Sequence, residues 1–82
     1  MPENSQIMSN LGAAYNLSDD PDRAIELLQR AMELAPQDAD IQCNLGISML
    51  SKRRYVEALQ CFHATIALDP NHDDGHRNLG FA

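Results

Sequence analysis

Apolar residues recur at helical spacing in stretches parted by short polar breaks. Ile7, Met8, Leu11 and Tyr15 lie along one helical face, with Leu17 following. Ser18-Asp19-Asp20-Pro21 interrupts them. Asp20 suits a helix cap, and Pro21 suits a first turn, where a missing N–H costs nothing. A second stripe follows at Ala24, Ile25, Leu28, Ala31 and Met32, closed by Pro36. Asp38 is placed to cap a third helix carrying Ile41, Leu45 and Met49. A turn near residues 52–54 leads to a fourth helix from Tyr55 to Leu68, closed by Pro70. A fifth starts near Asp73. The pattern predicts an all-α chain of about five helices.

The pattern also repeats. Asn10-Leu11-Gly12 returns as Asn44-Leu45-Gly46 and as Asn78-Leu79-Gly80, at intervals of 34 residues. The same shift carries Ile7 onto Ile41, Ala24 onto Ala58, Leu34 onto Leu68 and Pro36 onto Pro70. Leu28 falls on Phe62 and Met32 on Ile66. A fixed period of this length marks stacked helical units. We divide the chain into residues 1–4, the end of a preceding unit or cap; 5–38 and 39–72, two full units; and 73–82, the first helix of a third. Gly12 and Gly46 lie inside helices, where glycine costs ~1 kcal/mol against alanine. The expected compensation is close packing against Ala24 and Ala58, with helix axes about 8 Å apart.

Met8, Leu11, Gly12, Tyr15, Ala24, Leu28, Ala31 and Pro36, with Leu45, Gly46, Ala58, Phe62 and Pro70 one unit on, resemble the tetratricopeptide repeat (TPR) pattern. Met8 and Gln42 stand where the family carries a large aromatic, Met49 replaces a usual Tyr, and Thr65 a usual Ala. The resemblance covers nearly the whole chain. It implies a TPR-type helical solenoid, a right-handed superhelix of antiparallel helix pairs. It also implies a concave groove lined by the first helix of each pair.

On that expectation, Gln6, Asn10, Ala13 and Leu17 share the groove face of the first helix. Asp40, Cys43, Asn44, Ile47 and Ser51 are their counterparts in the second unit, and Asp74, Arg77, Asn78 and Phe81 in the third. The three asparagines then form a row. Stacked helices lie roughly 10 Å apart, and an extended peptide advances about 3.3 Å per residue. One asparagine therefore meets roughly every third peptide unit, with both a donor and an acceptor to offer. The row is similar to that in the TPR region of the O-linked N-acetylglucosamine transferase, which supports the grip and not that enzyme's identity. A second role stays open, in which each asparagine bonds the neighbouring helix and orders the stack.

Charge narrows the partners. The net charge is −6 and the pI about 4.7, so neither nucleic acid nor an anionic membrane is expected. The one basic run, Lys52-Arg53-Arg54, is read as a solvated turn that offsets the end of the preceding helix. Ser9, Ala13, Asp40 and Asp74 lack the cations of the carboxylate clamp known in chaperone-binding members of the family, and only Arg77 has the right sign. A neutral or basic protein or peptide ligand is expected.

No phosphate loop, nucleophile elbow or CxxC pair occurs. No enzyme activity and no cofactor are expected. His72 and His76 have metal-ligand spacing. The preferred reading is a polar turn whose Asp73 and Asp74 favour a helix N-terminus. Cys43 and Cys61 are read as free thiols. The first four residues begin at the register of a closing proline, and Phe81-Ala82 ends in an apolar helix. Two explanations stand. The chain is cut from a longer array, or other copies complete its ends and give a homo-oligomer.

Overall fold

A computed structural model describes residues 2–81, with side chains over residues 5–80. Phe81, expected in the groove, therefore has its side chain outside the described residues. Five helices follow in order: α1 Pro2–Leu17, α2 Pro21–Leu34, α3 Ala39–Ser51, α4 Tyr55–Leu68 and α5 Asp73–Phe81. Helix α1 begins at Pro2, ahead of the expected unit boundary at residue 5.

Local chemistry explains the helix ends. Asp20 Oδ1 accepts from Arg23 N at 3.4 Å, and Asp38 Oδ1 from Asp40 N at 2.9 Å. At the start of α5, one unit after Asp38, His72 Nδ1 accepts from Gly75 N at 2.9 Å. Asp19 and Arg53, also one unit apart, both take left-handed conformations, with φ of 59° and 60°. Each is followed by an N–H that bonds back five residues. Asp20 N donates to Tyr15 O at 2.8 Å and Arg54 N to Met49 O at 2.9 Å. These bonds satisfy carbonyls that a helix end otherwise leaves bare.

The helices stack as alternating pairs. Helix α1 packs on α2, α3 on α4, and each second helix on the next first helix. Along the stack α1 also touches α3, and α3 touches α5, whereas α2 and α4 do not approach one another. The first helices therefore crowd together and the second helices splay. The core divides accordingly. Ala24, Leu28 and Ala31 from α2 join Ile41 and Leu45 from α3. Cys43 and Met49 join Ala58 and Phe62 from α4.

The glycines act on larger partners than expected. A Cβ on Gly12 would lie 2.7 Å from Leu28 Cδ2, and one on Gly46 2.8 Å from Phe62 Cδ1. The side chains nearest the notches are thus Leu28 and Phe62, in place of Ala24 and Ala58. Both are fully buried. A bulky residue seated against a missing side chain fills the hairpin interior.

The leucine of the repeated tripeptide also plays another part. Leu45 is 4% exposed because α2 covers it, while its counterpart Leu11 is 45% exposed. Ile41 and Ile7 differ in the same way, at 0% and 63%. These positions serve packing between units, and α1 has no described helix in the place α2 takes against α3.

Lys52 departs from its reading as a solvated residue. Its Nζ pairs with Asp22 at the start of α2, bridging the two units. The hydrogen bond and charge of Lys52 hold the Asp22 carboxyl below its ordinary range.

The three glycines of the repeated tripeptide give a graded test. Gly46→Ala should cost about 1–3 kcal/mol, because the Phe62 ring cannot yield. Gly12→Ala should destabilise as well, since Leu28 Cγ also lies 2.7 Å from the added Cβ and turning the branched end leaves it there. Nothing lies within 4 Å of a Cβ on Gly80, so Gly80→Ala should be neutral or gain up to ~1 kcal/mol from helix propensity. Urea denaturation of the three variants measures the order.

Candidate functional site

The crowded layer of first helices carries the expected groove residues. Ala13 and Leu17 of α1 meet Asn44 and Ile47 of α3 around an open cavity of about 230 Å³, with Asn16 as the fifth wall residue. Four of the expected residues thus come together from two successive units. Leu17 is 91% exposed at its edge. Ala13 and Ile47 are half-buried.

The rest of the stripe is spread along the layer. Gln6 and Asn10 lie an exposed turn or two up α1, where Gln6 Nε2 donates to Asn10 Oδ1 at 3.3 Å. Ser51 is exposed at the end of α3. Asp40 Oδ1 lies 2.6 Å from His72 Nε2. Since His72 Nδ1 accepts from Gly75 N, Nε2 holds the proton and donates it. His76 Nε2 lies 2.7 Å from Pro70 O, so the two imidazoles engage different partners. Arg77, the one cation expected in the groove, pairs with Asp74 at 3.1 Å.

Asn44 and Asn78 are part of a polar seam between the first helices, while Asn10 bonds Gln6 of its own helix. Asn44 Nδ2 donates to Ser9 Oγ at 3.4 Å. One unit on, Asn78 Nδ2 donates to Cys43 Sγ at 3.9 Å and to Asp74 O at 2.8 Å. Ser9 and Cys43 are register counterparts, so both asparagines reach back to the same place on the preceding first helix. Asn16, which sequence reading passed over, is the firmest link. Its Nδ2 donates to Asn44 O at 3.1 Å, and its Oδ1 accepts from Ser48 Oγ at 2.7 Å. Ser48 also donates to Asn44 O at 3.1 Å. Ser5, Ser9 and Ser48 are all buried. The signal was available: Ser5, Ser9, Gly12 and Asn16 form a stripe of small and polar residues on one helical face.

Cys43 does not line an open groove. It is 2% exposed and packs in the second core cluster. Burial, with a smaller push from the Asp74 charge, raises its thiol pKa to about 11, against the opposing hydrogen bond from Asn78. Burial also raises the Cys61 thiol, with Glu57 adding to it. Neither is a poised nucleophile.

Antiparallel helix pairs stacked in a 34-residue register, with a seam along the first helices, define a helical-repeat protein. The family profile of the tetratricopeptide repeat matches residues 15–79, and the chain belongs to that family. It is 32% identical over 69 residues to the peroxisomal targeting signal receptor of Candida glabrata, which covers 84% of this chain and 12% of that protein. It is 34% identical over 68 residues to the BBSome complex member BBS4 of Xenopus tropicalis, covering 83% of this chain and 13% of that one. It is also 33% identical over 51 residues to interferon-induced protein with tetratricopeptide repeats 2 of Homo sapiens, covering 62% and 11%. The chain spans about an eighth of the length of these relatives.

A thiol assay tests the placement of Cys43. A rise from 9.0 to about 11 lowers the thiolate fraction at pH 8 by roughly 100-fold. Alkylation of Cys43 in the folded protein should therefore be slower by at least about that factor than in urea. Equal rates would place the thiol at the surface.

Proposed function

We propose that the chain is a non-catalytic protein-interaction module whose concave layer, α1, α3 and α5, takes an extended peptide or a partner helix. The cavity carries this reading. Two successive first helices bring Ala13, Leu17 and Ile47 to one apolar hollow beside Asn44, and the splay of α2 from α4 supports a concave surface there. A ligand side chain enters the hollow. Asn44 keeps its amide nitrogen on Ser9 and offers Oδ1 to a ligand N–H, a contact of about 1 kcal/mol. The relatives add support: one is by name a receptor for a targeting signal, another a member of a complex.

The ligand is neutral or basic. The net charge is −6, Asp40 is exposed along this layer, and the charges of Arg77 and Asp74 offset one another.

Peptides selected from a displayed library of unstructured sequences test the groove. Burying Leu17 under a ligand is worth about 1.5–3 kcal/mol. Leu17→Glu should therefore weaken selected peptides about tenfold or more while leaving melting unchanged. Asn44→Ala should weaken them by a smaller factor, measured per folded molecule. Unchanged affinity in both variants would remove the groove from consideration.

A further inference from the structure

Asp20, Asp38 and His72 each accept from a backbone N–H in the first turn of the helix that follows. Two of these acceptors are carboxylates. The third stands one unit after Asp38 and is an imidazole. Histidine is the side chain whose charge changes between about pH 5 and 8. Both nitrogens of the His72 ring are in use. Nδ1 accepts from Gly75 N at 2.9 Å, and Nε2 donates to Asp40 of α3 at 2.6 Å. The side chain is only 10% exposed, so a lost partner is not simply replaced by water. A second proton can bind only at Nδ1, and the imidazolium then has two donors and no acceptor. Nε2 keeps Asp40 in either state. Nδ1 does not keep Gly75, whose N–H would face another N–H.

We infer that His72 is a pH-sensitive latch on the first turn of α5. Neutral, it ties that turn to α3; protonated, it stays on Asp40 and lets the turn go. Two effects at α5 share this sign. The cap bond is lost, and a positive charge arrives at the positive end of a helix. The groups around the ring do not replace the bond. On α3, Asp40 is the direct partner, Asp38 is turned to Asp40 N, and Cys43 is a neutral thiol. On α4, Thr65 and Ile66 beneath Gly75 are uncharged, and Asp69 meets His72 N through its carbonyl. On α5 itself, Asp73 and Asp74 are acidic, and Arg77 pairs with Asp74. His76 Nε2 donates to Pro70 O, a bond that a second proton leaves in place. The latched turn lies on α4. A Cβ on Gly75 would lie 2.9 Å from Thr65 Cγ2 and 3.0 Å from Ile66 Cδ1, and Thr65 is fully buried. Acid therefore loosens α5 from α4 at this edge.

Amide exchange of the 82-residue protein at pH 8 and pH 5, each corrected for the intrinsic rate, tests the latch. Asp40 N, capped by Asp38, is the internal reference. Loss of a cap corresponds to about a fivefold fall in Gly75 protection at pH 5. Nuclear Overhauser contacts from Gly75 to the Thr65 and Ile66 methyls should weaken with it. His72→Asn supplies an acceptor that no proton removes, without a second carboxylate beside Asp40. Its Gly75 protection should be equal at the two pH values, whereas His76→Gln should respond as the unaltered protein does. The ring nitrogens give an independent reading, since their ¹⁵N shifts at pH 8 should show a proton on Nε2 and none on Nδ1. The opposite tautomer would overturn the latch, as would a pH response that survives His72→Asn or vanishes in His76→Gln. Gly75 protection unchanged or higher at pH 5 would also overturn it, because the Asp40 ion pair would then be seating α5.

Discussion

The fold rests on a single kind of contact. A large side chain of each second helix, Leu28 or Phe62, sits in a notch left by a glycine of the first, Gly12 or Gly46. The notch draws two helices into a hairpin and explains why glycine survives inside a helix despite its backbone cost. A hairpin closed this way still has apolar strips on its flanks. Those strips are covered by neighbouring helices of the stack, so the unit of stability is the stack. Helix α3 shows the result. It touches α1, α2, α4 and α5, and buries Ile41, Cys43, Leu45, Gly46, Ser48 and Met49.

The two sides of the stack are joined differently. On one side, second helices meet first helices through aliphatic side chains. On the other, first helices meet through Ser9, Asn16, Asn44 and Ser48, which are short enough to bring backbones close while satisfying each other's hydrogen bonds. Close inner helices beside separated outer ones form a curved layer. Asn44 and Asn78 belong to this construction, because their amide nitrogens are stitched to the preceding first helix. The ligand-binding role of Asn44 under the proposed function uses the carboxamide oxygen that the seam leaves over. Order in the stack and grip on a ligand are thus compatible duties of one side chain.

Much of this was legible in the sequence because it is periodic. Helix positions followed from apolar spacing, and Asp20, Asp38 and the 52–54 turn marked the breaks. What escaped was whatever periodicity alone does not carry. Leu11 and Leu45 are identical in sequence, yet among the described residues only Leu45 has a helix of a preceding unit packed over it. Cys43 sits on the groove stripe by spacing but is sealed by Asn78 and its core neighbours. Asn16 falls in register with Leu50, so the repeat gave no hint of its bridging role. Lys52 looked like a solvated turn residue because its partner, Asp22, lies on a helix of the other unit.

Amide hydrogen exchange measured along the native chain tests the central claim that stacking, and not the single hairpin, holds the fold. The account predicts the slowest exchange in α3, at least about tenfold slower than in α1 or α5, with α2 and α4 between. Protection in α1 equal to that in α3 would contradict it, because each hairpin would then be holding itself together.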